Sequence, residues 1–222
     1  MSEQHAPPSR DPADDGTLLG MVRLVLDKFL QGVDDMLPAR VISYDRESNR
    51  AQVQPLVRLL TTDNRQIGRA PVASVPVMQF GGGGVALSFN LRAGDLGWIK
   101  ANDRDVSVFL RTYAEASPNT LRKHSFQDAV FVPDVMHGMA INAEDESHAV
   151  LQTTDGSVRV AIWPDRVKIT AGSVGLTVGP SASTFTGHVV MPDGASIGGI
   201  EFGSHRHTGV QSGSGTSGGP TS

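Results

Sequence analysis

Val158-Arg159-Val160-Ala161-Ile162, Val167-Lys168-Ile169-Thr170-Ala171 and Val174-Gly175-Leu176-Thr177-Val178 alternate apolar residues with polar or small ones three times in succession. A period of two is the mark of a strand with one face turned toward a core. Pro164-Asp165, Gly172 and Gly179-Pro180 punctuate the runs as turns. Strand-like runs continue on both sides, at Ala149–Gln152 and Ser157–Trp163 upstream and at Thr184–Met191 and Ala195–Phe202 downstream. One strand every ~8–12 residues is the spacing of an all-β array. Between Ala171 and Ile200 the only Asp, Glu, Lys or Arg is Asp193. A single chain of such short strands has little to set its apolar face against. Three chains can bury that face along a common axis as a triangular β-prism, with the Ser, Thr and Gly face left wet. Half of an ordinary β-sandwich is the alternative.

Composition agrees with a thin, turn-rich fold. Of the 222 residues, 39% are hydrophobic but only 5% aromatic, with 25 Gly and 13 Pro. A net charge of -4 argues against a nucleic-acid binder, which would carry a basic stripe. The chain has no cysteine, so disulfides, Cys-based zinc sites and thiol catalysis are excluded. No stretch reaches the ~20 apolar residues that span a bilayer. Residues 1–16, with Pro7, Pro8, Pro12, Asp14 and Asp15, lack the basic and apolar regions of a signal peptide. They are expected to form a flexible arm on a protein assembled in the cytoplasm.

Thr17 is a candidate N-cap for a helix over 17–37, whose wide apolar stripe includes Leu18, Val22, Val25, Leu26, Phe29 and Leu30. Pro38 is expected to end it, and the stripe to be buried on the next domain or on a neighbouring subunit. Over 38–112 the texture turns to strands. Arg40–Tyr44 and Arg50–Val57 flank the turn 45–49, and Val72–Phe80, Val85–Phe89, Leu96–Lys100 and Val106–Leu110 follow. About five strands over this length predict a small closed Greek-key barrel of the OB type. Residues 113–135 read as a connector and 136–200 as the prism. The fold class is therefore all-β: an OB-fold barrel, then a trimeric intertwined β-helix or β-prism, with a short N-terminal helix.

His205-Arg206-His207 stands in the Gly- and Ser-rich segment 201–222. In extended chain two histidines at i and i+2 point to one side. One pair gives two metal ligands, and three copies around a three-fold axis give six imidazoles. Zinc prefers four ligands, whereas a six-imidazole cage suits iron or nickel, with iron(II) the better match. A solvated polar tail is the alternative for this segment. His124, His137, His148 and His188 have no ligand spacing and read as structural. Gly81–Gly84 lacks the following Gly-Lys-Ser/Thr of a phosphate loop. No catalytic residue stands out.

The order of these parts resembles the central spike, or membrane-piercing needle, of contractile phage tails and related injection particles. The resemblance rests on the apex-like run Phe202–Gln211, followed by Gly213, Gly215, Gly218, Gly219 and Pro220, and on the connector-like run Arg122–Pro133. It implies a homotrimer without enzymatic activity, attached through its barrels to the baseplate hub protein at the tip of the virion tail. It also implies one iron ion per trimer, held by His205 and His207 of each chain, and passage through the host outer membrane on sheath contraction. Two other readings compete. A trimeric receptor-binding fibre tip would show aromatics in its last segment, but Trp98 and Trp163 both lie elsewhere. A small metal-dependent hydrolase would need a carboxylate beside the histidine pair, and Glu201 is the one nearby.

Overall fold

The computed structural model describes residues 16–61, 65–204 and 213. The expected arm over 1–16 lies outside them but for Gly16, and His205 and His207 lie outside them altogether. The described chain is built mostly of strands, and it divides into two units, Met1–Gly138 and Met139–Ser222.

The first unit opens with helix α1, Leu18–Gln31. Thr17 caps it as the sequence predicts, its Oγ1 accepting from the Gly20 amide at 2.9 Å. The helix stops earlier than Pro38. At the C-cap, the Gly32 amide turns back onto the carbonyls of Phe29 and Leu30. The next residues are then drawn into the barrel. The Asp34 amide donates to the His124 carbonyl at 2.8 Å, and the Ala101 amide donates to the Asp35 carbonyl at 2.7 Å. The Asp34 carboxylate accepts from Arg69 at 2.7 Å and from the Phe126 amide at 3.1 Å. These tertiary bonds replace the last turns of the expected helix.

The strands that follow are β1 (Met36–Asp45), β2 (Arg50–Pro55), β3 (Leu59–Leu60), β4 (Gln66–Ile67), β5 (Val72–Pro76), β6 (Phe80–Gly82), β7 (Val85–Leu87) and β8 (Leu96–Asn102). The short helix α2, Phe109–Thr112, and β9, Ser125–Pro133, complete the unit. Five strands form one antiparallel sheet in the order β5-β2-β1-β8-β9. The long β1 serves both halves of it, pairing with β8 through Met36–Arg40 and with β2 through Ala39–Asp45. A register shift between Val41 and Ser43 bends β1 between its partners. The two edges then meet. Val77 bridges Phe131 in parallel, and the Met78 amide donates to the Phe131 carbonyl at 2.8 Å. The sheet thus curls into a nearly closed OB-like barrel filled by Ala39, Val41, Val53, Val75, Ile99 and Phe131.

Two expectations are corrected here. Val106–Leu110, taken as a strand, is a turn leading into α2. The Asp105 carboxylate accepts from the Ser107 amide at 2.9 Å, and this local bond favours a turn over a ladder. The strand that takes its place is β9, which lies within the run 113–135 read as a connector.

Gly97 on β8 is required by its surroundings, since a Cβ there would run into the Val132 carbonyl oxygen and the Phe131 ring. Phe131 is fully buried and cannot give way. Gly97→Ala is therefore expected to cost the barrel about 1–3 kcal/mol through overpacking. Urea unfolding should show this as a lowered midpoint at unchanged slope, and an unmoved midpoint would contradict the packing described.

The second unit carries β10 (Ala149–Gln152), β11 (Val158–Ile162), β12 (Val167–Ala171), β13 (Val174–Val178) and β14 (Ser183–Thr186), paired in sequence order as an antiparallel meander. A last hairpin, β15 (Ser196–Ile197) and β16 (Ile200–Glu201), turns on Gly198 and Gly199. Both have positive φ, at 60° and 82°, as a tight two-residue hairpin requires. The expected strand Thr184–Met191 is shorter than its apolar residues suggested, ending at Thr186. The expected Ala195–Phe202 is this hairpin and not one strand.

Candidate functional site

The register of the meander lays its apolar residues in a grid. Leu151, Val160, Ile169, Leu176 and Phe185 stand opposite one another across all five strands. Ala149, Ile162, Val167 and Val178 form a second row, and Val158, Ala171 and Val174 a third. Side chains two residues apart share a face, so the three rows lie on one side of the sheet. That side is open. Leu151, Val158, Ile162, Val167, Ile169, Val174, Val178 and Phe185 are 37% to 58% exposed. An apolar surface of this extent marks an interaction face on a folded protein.

The opposite face is polar and is covered in part, over β11 and β12, by the loop before β10. It presents Gln152, Arg159, Ala161, Lys168 and Thr170. Asp145, in the loop before β10, is fully buried there. Its carboxylate accepts from Arg159 Nε at 2.7 Å and from Trp163 Nε1 at 3.0 Å, with Lys168 Nζ 4.0 Å away. The Trp163 ring stacks on His148 at 4.1 Å between centroids, and the Arg166 and Lys168 cations each lie 5.2 Å from it. Burial alone pushes the Asp145 carboxyl up. The hydrogen bonds from Arg159 and Trp163 and the charge of Lys168 outweigh it and hold the group below the usual carboxylate range. This ion pair sits on the outer, polar side and tethers the loop to β11 and β12. A carboxylate held ionised between Arg159, Trp163 and Lys168 serves as a clamp.

A second clamp lies in the barrel unit. Arg122 grips Asp128 with two bonds, at 2.9 and 3.1 Å, and reaches Asp105 at 3.3 Å. Bonds from Ser107, then Thr120, and the charge of Arg122 hold the Asp105 carboxyl far below its ordinary range. Both carboxylates are buried. The clamp joins the 103–124 excursion to β9 and gives the buried Asp128 carboxylate its charged partner.

Neither cluster was foreseen. Asp145, Arg159 and Trp163 lie 14 and 18 residues apart in the chain, and no short motif joins them. Trp163 did offer a signal for the first cluster, since an indole N–H withdrawn from water needs an acceptor. Of the other histidines, His124 lies 3.1 Å from Asp103 and His148 stacks on Trp163, so these two have structural partners.

At the C-terminal end, the described chain reaches Ser204, one residue short of His205. The hairpin β15–β16 leaves Ile197, Ile200 and Phe202 exposed just before the histidine pair. The Phe202 amide donates to the Ala195 carbonyl at 2.6 Å, closing the hairpin base. Among the described residues no three His, Asp or Glu side chains gather as metal ligands.

Two family models match parts of the chain. Residues 37–134 match the family described as the phage protein Gp138 N-terminal domain. These limits coincide with the barrel, β1 to β9. Residues 199–221 match the GpV Apex motif, which begins in the turn of the last hairpin and takes in both histidines. No curated protein matches the chain.

Proposed function

Since the chain is a central spike protein of a phage baseplate, a component of the virion tail that joins a Gp138 N-terminal domain to a GpV Apex motif, we propose that it works as a homotrimer which pierces the host outer membrane when the tail contracts. The observation that carries this reading is the five-strand apolar grid left open on one face, while the chain's own loop before β10 is bonded to the other. A sheet bonded to its own loop on the polar side and bare on its apolar side is one wall of a larger object. A symmetric oligomer supplies the same surface to each copy, and three such walls close into a prism. The core of the prism would be the rows of Leu151 and Ala149.

In this reading the barrel attaches the trimer to the baseplate hub protein, and the sheet and apex form the piercing part. The role is mechanical and needs no catalytic group. His205 and His207 of the three chains would supply six imidazole nitrogens, a donor set that fits iron(II) in octahedral coordination better than zinc. A site assembled from three chains exists only in the oligomer, so metal affinity adds to the stability of assembly. It would link the chains beyond β16, where the described strands of the second unit are shortest.

Metal content and solution mass measured on one sample test the reading together. The expected result is a trimer carrying one iron per three chains. A chain with both His205→Ala and His207→Ala should stay trimeric, lose the iron and melt at a lower temperature. A monomer would overturn the spike assembly. A trimer whose iron survives the double substitution would overturn the ligand assignment alone.

A further inference from the structure

Helix α1 is the second unfinished surface of the chain, and it is independent of the sheet. Eight of its apolar side chains, from Leu18 to Leu30, are 47% to 80% exposed. A helix of 14 residues is about 21 Å long and is marginal in water without packing. Its exit is fixed nonetheless, because Asp34 is bonded to Arg69, to Phe126 and to His124 of the barrel. The chain anchors the base of this helix and leaves its flank bare.

The spacing of that flank points to its occupant. Leu19, Val22, Leu26 and Phe29 follow one another at intervals of three, four and three, which is an a-d-a-d seam. The a sites hold leucine, and the first d site holds β-branched valine. Leucine at a with a β-branched residue at d favours three or four strands over two. Leu18 and Val25 widen the seam on the g side, giving the broad face of a helix that packs on two neighbours at once. The opposite side carries Asp27, Lys28 and Gln31 toward the helix end, with Met21 and the half-buried Leu24 before them.

We propose that the three α1 helices of a trimer pack together as a parallel bundle through Leu19, Val22, Leu26 and Phe29, a helical clasp on the N-terminal side of the barrels. It rests on the three-chain reading above but uses none of the residues of the sheet or the apex.

The absence of native cysteine makes the test direct. Full-length Leu26→Cys and Gln31→Cys proteins would be oxidised, or treated with a short bis-maleimide, and run on denaturing gels, with solution mass measured in parallel. Leu26→Cys is expected to give covalent dimers in high yield, since two of three thiols in a layer can join. Gln31→Cys, on the far side, is expected to give few. A trimer in which Leu26→Cys crosslinks no better than Gln31→Cys overturns the bundle and leaves the sheet assembly standing. A Leu26→Cys thiol in the trimer that resists both crosslinking and free maleimide would seat the helix on another part of the assembly and overturn the bundle as well. A monomer would overturn the trimer itself.

Discussion

Ile169→Asp is expected to abolish the trimer. Ile169 sits in the middle of the central row of the sheet, opposite Val160 on one side and Leu176 on the other. It is 45% exposed in the single chain, so the substitution costs an isolated chain little. In the proposed prism the same change sets three carboxylates facing one another in an apolar core. Burial of an unpaired charge costs several kcal/mol for each ion, and the cost falls wholly on association. Sedimentation should therefore show monomer, or aggregate through the exposed face, with the strand signal of the barrel intact. Thr170→Asp, one residue along on the polar face, should remain trimeric. If Ile169→Asp keeps the mass of wild type, the grid is not the interface.

Asp145→Ala is expected to be the most damaging single change within the second unit. It removes one carboxylate and leaves Arg159, a side chain only 11% exposed, without the partner that makes its burial tolerable, while Lys168 keeps its closer pair with Glu144 at 2.5 Å. Truncating one member of a buried ion pair costs about 3–5 kcal/mol. The Trp163 N–H would lose its acceptor at the same time, so loosening of the 139–148 loop should register as a red shift in Trp163 emission. Asp145→Asn keeps an acceptor for the indole and should lie between the two. The pH dependence follows from the direction of the shift. Asp145 is ionised more readily in the folded chain than in the unfolded one, so its contribution is complete above the ordinary carboxylate range. It is lost as pH falls below about 4. Asp155 behaves alike: hydrogen bonds from Thr153 and Ser157 bring it down to about 2. Acid unfolding of the wild-type unit should begin below pH 4, and Asp145→Ala should flatten that limb. Equal acid sensitivity in both proteins would show that the clamp contributes nothing.

How much of this was legible in the sequence depended on the range of the interactions. The meander could be read because its information is local. Val158 to Val178 alternate strictly, and the turns between them are marked by Pro, Asp and Gly. The β1–β2 hairpin was legible for the same reason, with Asp45 accepting from Glu47 and Ser48 inside its own turn. Strand β9 was missed because Asp128 interrupts its apolar pattern, and only Arg122, from an excursion of the chain, makes a carboxylate acceptable at a buried position. Val106-Ser107-Val108 imitated a strand, but the side chain of Asp105 had already committed the backbone to a turn. The helix lost its last turns to Asp34 and Asp35, whose partners lie far along the chain. For the apex, the pattern His205-Arg206-His207 was plain in the sequence, and the matched motif spans it.

The order of the strands in the second unit has a kinetic consequence. Each strand from β10 to β14 pairs only with its sequence neighbours, through the short turns 153–157, 163–166, 172–173 and 179–182. Every pairing within this sheet is therefore a hairpin of low contact order, and hairpins of this kind form in microseconds. The wall can take shape on each polypeptide before any other copy is met, and no chain must be threaded through another to reach its register. Renaturation should then split into a fast concentration-independent phase, in which β-signal appears, and a slower phase whose rate rises with protein concentration as preformed walls collide. The encounter between chains, and not the making of strands, would set the pace at which new spikes accumulate.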